Sequence, residues 1–341
     1  MATTTQYNPN HALNARLLAA GASKTVYAMV TPQLEAAKAA VFGDAGSVER
    51  EDYLNQFRDA WTGKQDTLHE DFFNVWHKWS SPVIDLDRSL FPFYYPTAGA
   101  SEPIRHLIYE LASKNIDGAG RGIAAFDGEY EGYRAMAEAA GLWFFSFNRL
   151  DWDVIDIEET DESLFFISAP SAIDGNVWEH FNAFLERMPP NSVVVDVTYV
   201  GAIGEGFERF NLNHPSVKAV VFSLSKPFGA YYDRIGGVFL REENAGLFGN
   251  KWFKGLTGLN LGIRLMEDND VFAMSRRYSS LQAAKTTEVS EALGIDLKPS
   301  DVFILAHGDE PEVQTDLGEY LNRAGTVRVC LTPGMTGEIN S

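Results

Sequence analysis

Six short, almost unbroken apolar runs constrain the fold of this chain more than any other feature. They are Gly122–Phe126, Leu142–Phe147, Leu164–Ser168, Val193–Asp196, Ala219–Ser223 and Gly237–Leu240. A strand with one wet face alternates apolar and polar residues, whereas a strand covered on both faces does not. These runs therefore predict strands buried on both sides of a sheet. Between several of them, Glu102–Lys114, Glu131–Ala140 and Asn176–Met188 carry apolar residues at helical spacing. Strands alternating with helices predict an α/β fold, a mainly parallel sheet between two helical layers.

The flanks read differently. Residues 30 to 80 are helical in pattern and rich in aromatics, with Phe72, Phe73, Trp76 and Trp79 at helical spacing. That spacing predicts core, with the wall of a binding site as the alternative. Beyond about residue 265 a polar helical stretch, Met274–Glu291, leads to an apolar run at Val302–Ala306, a helix at Glu312–Asn322 and a strand at Val327–Leu331. This βαβ pattern predicts a small α/β domain. The expected division is a helical segment over 1–80, a large domain over 81–265 and a small C-terminal domain over 266–341.

Composition excludes several function classes. The 47 acids outnumber the 28 bases and give a net charge of −19, which disfavours nucleic acid and anionic membrane surfaces, both bound through clustered Lys and Arg. No apolar stretch is long enough to cross a bilayer. The opening Met1-Ala-Thr-Thr-Thr lacks the basic-then-apolar pattern of a secretion signal, so a cytoplasmic protein is expected. The single cysteine, Cys330, rules out an intrachain disulfide and any multi-cysteine metal site, and no metal is expected.

The residues that carry chemistry cluster where the apolar runs end. Three successive runs finish in Ser168, Asp196 and Ser223, and ligands of open α/β sheets bind at the C-terminal ends of strands. Lys226 follows the last of these. Burying an ammonium is costly unless it is paired or used, and condensation with an aldehyde is one use; a surface lysine at a strand end is the alternative. Arg234, eight residues on, suits a bidentate phosphate contact. Asp196 is either a partner for a protonated ring nitrogen or a capping aspartate, and Tyr199 either a hydrogen-bond donor to a cofactor or a packed aromatic.

Together these motifs resemble the fold-type I pyridoxal-phosphate enzymes, the aspartate aminotransferase superfamily. Ser223-Leu-Ser-Lys226, a glycine at 229 and Arg234-Ile-Gly are similar to that family's lysine signature. Asp196-x-x-Tyr199 resembles its ring-nitrogen aspartate and phenolate-binding tyrosine. Thr97-Ala-Gly99-Ala100-Ser101-Glu102 resembles its phosphate loop, and Tyr130-Glu-Gly-Tyr133 its ring-stacking segment. The likeness spans residues 95 to 240, with the motifs in the family's order.

The resemblance implies pyridoxal 5′-phosphate held by Lys226 as an internal aldimine. Asp196 would keep the ring nitrogen protonated, Tyr199 would bond the phenolate oxygen and Tyr130 would stack on the ring. Ser101, Ser223 and Arg234, with backbone at Gly99 and Ala100, would anchor the phosphate. It also implies a homodimer acting on a small-molecule amino-acid substrate. In the small domain Arg328 is the candidate for the substrate α-carboxylate. Arg264 is a further candidate, for a distal carboxylate or a partner's phosphate.

Two departures stand out. The family's Asn-Pro-x-Gly is replaced by Ser168-Ala-Pro-Ser171-Ala-Ile-Asp174-Gly175-Asn176, leaving Ser171 or Asn176 to substitute for the asparagine. Only six residues follow Met335, so the small domain is expected to be abbreviated and to lack the family's closing helix. Transamination is the expected reaction. A β-elimination or substitution lyase and a non-catalytic cofactor-binding homologue are the alternatives.

Overall fold

The computed structural model describes residues 10–27, 29–59, 66–114, 121–155, 163–253, 255–309 and 315–339. Its strands in chain order are β1 Ile84–Asp85, β2 Phe93–Ala98, β3 Gly122–Phe126, β4 Trp143–Phe147, β5 Leu164–Ser168, β6 Val193–Asp196 and β7 Phe210–Asn211. They continue with β8 Val217–Ser223, β9 Ile235–Leu240, β10 Lys298–Pro299, β11 Leu305–Asp309, β12 Asn322–Arg323 and β13 Thr326–Cys330. Seven of them form one sheet in the order β2-β9-β8-β6-β5-β3-β4. The ladders from β8 through β4 are parallel, and β9 runs antiparallel to both its neighbours.

The two faces of this sheet are sorted by period-two alternation. Ile123, Ala125, Val194, Ala219 and Val221 pack with Ile104, Leu107 and Ile108 of the helix Ser101–Lys114 and Tyr133 of the helix Gly132–Ala139. Ala124, Val195, Val220 and Phe222 face the other layer, with Phe72, Phe73 and Trp76 of the helix Asp66–Ser80. The Trp76 and Phe222 rings stack at 4.1 Å between centroids. The aromatic stripe in the N-terminal half is therefore core. The helical layers on both faces explain why the central strands carry no polar alternation.

The α/β expectation is borne out, with local corrections. The run at Leu142–Phe147 forms β4, but β4 is a sheet edge and leaves Trp143 67% exposed. The other edge, β2, escaped the search for apolar runs because Pro96 and Thr97 interrupt it; an edge strand tolerates proline. The helix expected over Asn176–Met188 is confined to Phe181–Arg187. Helix Leu256–Asp268 runs through the expected division at 265/266.

The small C-terminal sheet is antiparallel throughout, in the order β10-β11-β13-β12, and so is not a βαβ unit. Val302–Ile304 is apolar because it is buried in a turn, with the Val302 and Phe303 N–H groups donating to Gly175 and Ala202; the strand begins only at Leu305. A short helix, Thr332–Ile339, follows β13.

The segment before the helix Pro32–Phe42 ties the two sheets together. Ser23 and Cys330 exchange backbone hydrogen bonds, which lays this segment along β13. Further on, Thr31 Oγ1 donates to the Phe228 carbonyl at 2.9 Å. Gly229 has φ +76°, and a Cβ there would lie 1.7 Å from the Met29 carbonyl oxygen. Gly46 also has a positive φ, +85°, but a Cβ there meets nothing within 4 Å. Both glycines save about 1 kcal/mol of left-handed backbone strain, but only Gly229 also makes room for a neighbouring chain. Urea unfolding should show Gly46→Ala losing about 1 kcal/mol and Gly229→Ala at least about 2 kcal/mol; equal losses would contradict the close approach.

Candidate active site

Because β5, β6 and β8 are neighbouring parallel strands, their C-terminal residues are delivered side by side: Ser168 is in register with Asp196, and Asp196 with Val221. These ends open into a cavity of about 660 Å³, within the range of small-molecule sites.

Lys226 reaches this cavity from the turn after β8, and its Nζ donates to the Val26 carbonyl at 2.6 Å. Burial is the main reason its pKa is lowered to about 8; Arg328 and Arg234 add to the lowering, while Cys330 and Asp196 oppose it. Asp196 accepts from the Thr198 N–H at 3.0 Å and the Thr198 hydroxyl at 2.5 Å on one oxygen, and from Tyr133 at 3.4 Å on the other. Burial raises its pKa, and the Thr198 and Tyr133 hydrogen bonds and Lys226 pull it back. Tyr199 lines the cavity, with its phenol pushed up to about 12 by burial against the pull of Arg328 and Arg323.

A second group of residues forms a cradle. β2 ends at Ala98, Gly99 turns with φ +74°, and the helix Ser101–Lys114 begins, so its N-terminus points at the cavity edge where Ala100 and Ser101 line the wall. Arg234 donates to the Ala98 carbonyl at 2.7 Å, and a Cβ at Gly99 would lie 2.7 Å from its guanidinium. Arg234 holds this place with φ +53°, a left-handed conformation that a non-glycine residue adopts at a cost. Ser223 and Ser225 complete this wall. A helix N-terminus, hydroxyls and a guanidinium together suit a phosphate. Tyr130, 41% exposed, stands at the cavity with its ring edge-on to Tyr133.

Arg328 enters from β13 and is 3% exposed. It donates to the Ala172 and Lys24 carbonyls, and its Nε has no partner in the structure. Ala172 is itself held: its N–H donates to Ser168 Oγ at 2.6 Å, and that hydroxyl donates to Glu129 at 2.6 Å. A buried carboxyl thus positions Arg328 through two intervening residues.

Ten of the residues singled out in the sequence, Ser168 among them, converge on one cavity. Gly99 lies beneath Arg234, but Ser171 and Asn176 do not line the cavity. Ser171 Oγ accepts from Arg149 and from the Ile173 N–H, and Asn176 Oδ1 accepts from the Asp301 N–H. Ala172 is the residue of this loop that faces the cavity, together with Ser168. Arg264 does not line the cavity; it pairs with Asp268 on an exposed helix face at 2.7 Å. Sequence reasoning missed Lys24, Val26, Glu129, Tyr133 and Arg323. Tyr133 stood in a quoted motif and Glu129 just ahead of it, whereas Lys24 and Arg323 carry no local signal because folding alone brings them in. Among the described residues no group of three or more His, Cys, Asp or Glu is placed to hold a metal ion, and no helix is long and apolar enough to cross a membrane.

No protein-family model matches the chain, and no curated protein matches its sequence. Solved structures do match. A pyridoxal-phosphate-bound C-S lyase from Staphylococcus hominis aligns over 100% of this chain and 95% of its own, with TM-score 0.66 and 11% identity. A single mutant of Thermus thermophilus aspartate aminotransferase aligns over 99% and 97%, with TM-score 0.64 and 15% identity. Histidinol-phosphate aminotransferase from Clostridium acetobutylicum aligns over 85% and 95%, with TM-score 0.57 and 14% identity. The chain shares the fold of these aminotransferases and of the C-S lyase, at 11 to 15% sequence identity.

Glu129 offers a direct test of the site's electrostatics. Burial pushes its carboxyl up from 4.5 to about 7, against the lowering by its Ser168 hydrogen bonds. Between those two values the folded chain keeps a proton that the unfolded chain has released, so stability falls as pH rises through the window. Glu129→Gln removes this term. Thermal unfolding of ligand-free protein should show the variant gaining on the wild type from about pH 5 to about pH 8, by up to about 3 kcal/mol. Parallel pH profiles would refute the assignment.

Proposed function

We propose that this chain is a pyridoxal-phosphate enzyme that transforms an amino acid, with transamination the reaction best supported. The observation that carries the reading is the convergence of Lys226, Asp196 and the Arg234 cradle on one cavity, with Arg328 on another wall. The residues fit the cofactor: Gly99 leaves a hollow against the Arg234 guanidinium that a Cβ would fill, and Asp196 is buried at the strand end with its oxygens turned to hydrogen-bond donors. The fold-level likeness to aminotransferases and to a C-S lyase supports the same class of chemistry.

When bound, pyridoxal phosphate supplies an aldehyde and a pyridinium ring that accepts electrons released at an amino-acid Cα. Lys226 provides the amine that attaches it. With a pKa of about 8, roughly half of the Lys226 amines are neutral and nucleophilic at that pH, against a fraction of a per cent for an exposed lysine. With a substrate in the cavity, Lys226 Nζ would be the base that takes a proton from the amino-acid Cα. Asp196, fixed by Thr198 and Tyr133, would hold a proton on the ring nitrogen. Tyr199 would donate to the ring oxygen, Tyr130 would cover the ring, and Ser101, Ser223 and Arg234 would hold the phosphate. Arg328 offers a guanidinium fork to the substrate α-carboxylate.

A lyase is the second reading, favoured by Ala172. Counted back from Gly175, Ala172 stands where the family's motif has its asparagine, and counted from Pro170, Ala169 does; Ala172 faces the cavity, and by either count the ring oxygen would have one hydrogen-bonding side chain fewer. A homodimer belongs to the same proposal. Tyr231, 41% exposed, and Tyr232, 87% exposed, follow Lys226 closely in sequence, line the cavity and present apolar surface that a second copy would cover.

Adding pyridoxal phosphate to the purified protein should produce a visible absorbance band that Lys226→Ala lacks, formed faster as pH rises until it levels off above about 8. A band of equal strength in the variant would sink the proposal. One equivalent of 2-oxo acid per site, continuing only with an added 2-oxo acid acceptor, indicates transamination. Continuous release of 2-oxo acid and ammonia without an acceptor indicates the lyase.

A further inference from the structure

The cavity holds more positive charge than one α-carboxylate requires. Beyond the Lys226, Asp196 and Arg234 group, Lys24, Arg323 and Arg328 line it with Glu131 beside them, while the buried Glu129 also acts on Arg323 and borders, with Asp127, a smaller neighbouring hollow that Lys24 and Arg323 share. In a chain of net charge −19 such a concentration is a local arrangement, not a reflection of composition.

The two arginines share a face of the small sheet. Arg323 is directly opposite Thr326 across the β12–β13 ladder, and Thr326 and Arg328 are two residues apart on β13. Cross-strand partners share a face, and so do residues two apart. Lys24 joins them because the N-terminal segment lies along β13, and its Nζ sits 4.2 Å from the centre of the Tyr320 ring. Arg323 donates to the Gly128 carbonyl at 2.8 Å and to Glu131 at 3.2 Å, while its Nε is buried without a partner. A guanidinium has five N–H donors, so most of Arg323 remains uncommitted. Its Glu131 partner is 74% exposed, while the Arg323 side chain is only 9% exposed. Burial lowers the pKa of Arg323 to about 10, with Arg328 adding to the effect. An ion pair with an exposed carboxylate contributes little. Buried like charges of this kind are stabilised by an anion that replaces the lost water.

We infer that Arg323 and Lys24 form a subsite for a second anionic group on the substrate, so that the chain selects amino acids whose side chain carries a carboxylate, phosphate or sulfonate. This rests on the reading of the cavity as an amino-acid site, with Arg328 taking the α-carboxylate. The side-chain anion then lies between β12 and the N-terminal segment. Glu131 competes with it for Arg323.

The test uses the pyridoxal-phosphate-loaded protein. The change in its absorbance band is titrated with L-glutamate, L-2-aminoadipate and O-phospho-L-serine against L-glutamine, L-norleucine and L-serine. At least one anionic ligand should bind about tenfold or more tighter than its neutral counterpart. That ratio should collapse in Arg323→Gln and shrink in Lys24→Met. Glu131→Gln, at an exposed position, should move the ratio the other way, by about threefold. The three acids separate carboxylate from phosphate recognition. Calorimetry with glutarate against butyrate reads the anion preference without relying on the cofactor. A ratio near one in the wild type with the band present, or a ratio that Arg323→Gln leaves unmoved, overturns the subsite. Loss of the band itself, with glutarate still preferred, overturns the cofactor reading and leaves the anion site standing.

Discussion

An amine and a carboxyl group, the half-buried Lys226 in the turn after β8 and the buried Asp196 at the end of adjacent β6, face one cavity, and the organisation of the molecule follows from that. Neither group is tolerable at such a place without compensation. The compensation comes from every layer of the fold. Thr198 and Tyr133 supply donors to Asp196 from its own strand end and from the helix beside it. The N-terminal segment supplies a carbonyl to Lys226. The helices on both faces keep the sheet dry enough for burial to shift the lysine. A site of this kind cannot be separated from its scaffold, because the same burial that stabilises the sheet sets the reactivity of the amine.

The central strands were legible because a parallel sheet covered on both faces leaves an unmistakable composition: Val193–Val195 and Val220–Phe222 have no polar alternation to confuse them with surface strands. The residues at their ends were legible for the same reason, since Ser168, Asp196, Ser223 and Lys226 break apolar runs at equivalent points. The edges were harder. β2 carries a proline that only an edge strand accepts, and β4 carries an apolar run although half of it faces solvent. Apolar runs also mark burial without marking strand, as Val302–Ile304 shows by turning beneath two neighbouring loops.

What could not be read was everything assembled across long sequence separations. Lys24 and Arg323 reach one cavity from the two ends of the chain, with no motif around either. The same holds for the replacement of the expected asparagine: Ser171 and Asn176 have suitable chemistry, but their hydrogen bonds are spent within the loop and against Asp301, and the small Ala172 is what faces the cavity. Polar chemistry near the right position predicts a role only when the backbone turns that side chain toward the ligand.

The pairing of Ser23 with Cys330 has a consequence for the chain's biosynthesis. The two strands of that pairing lie far apart in sequence, so the segment around Ser23 must wait for β13 to be made before it can close over the lysine. The large sheet has all its strands long before that moment. A nascent chain therefore carries its reactive amine on a folded sheet before the segment that covers it has found its place. Completion of the site thus follows the formation of the core and is coupled to the arrival of β13.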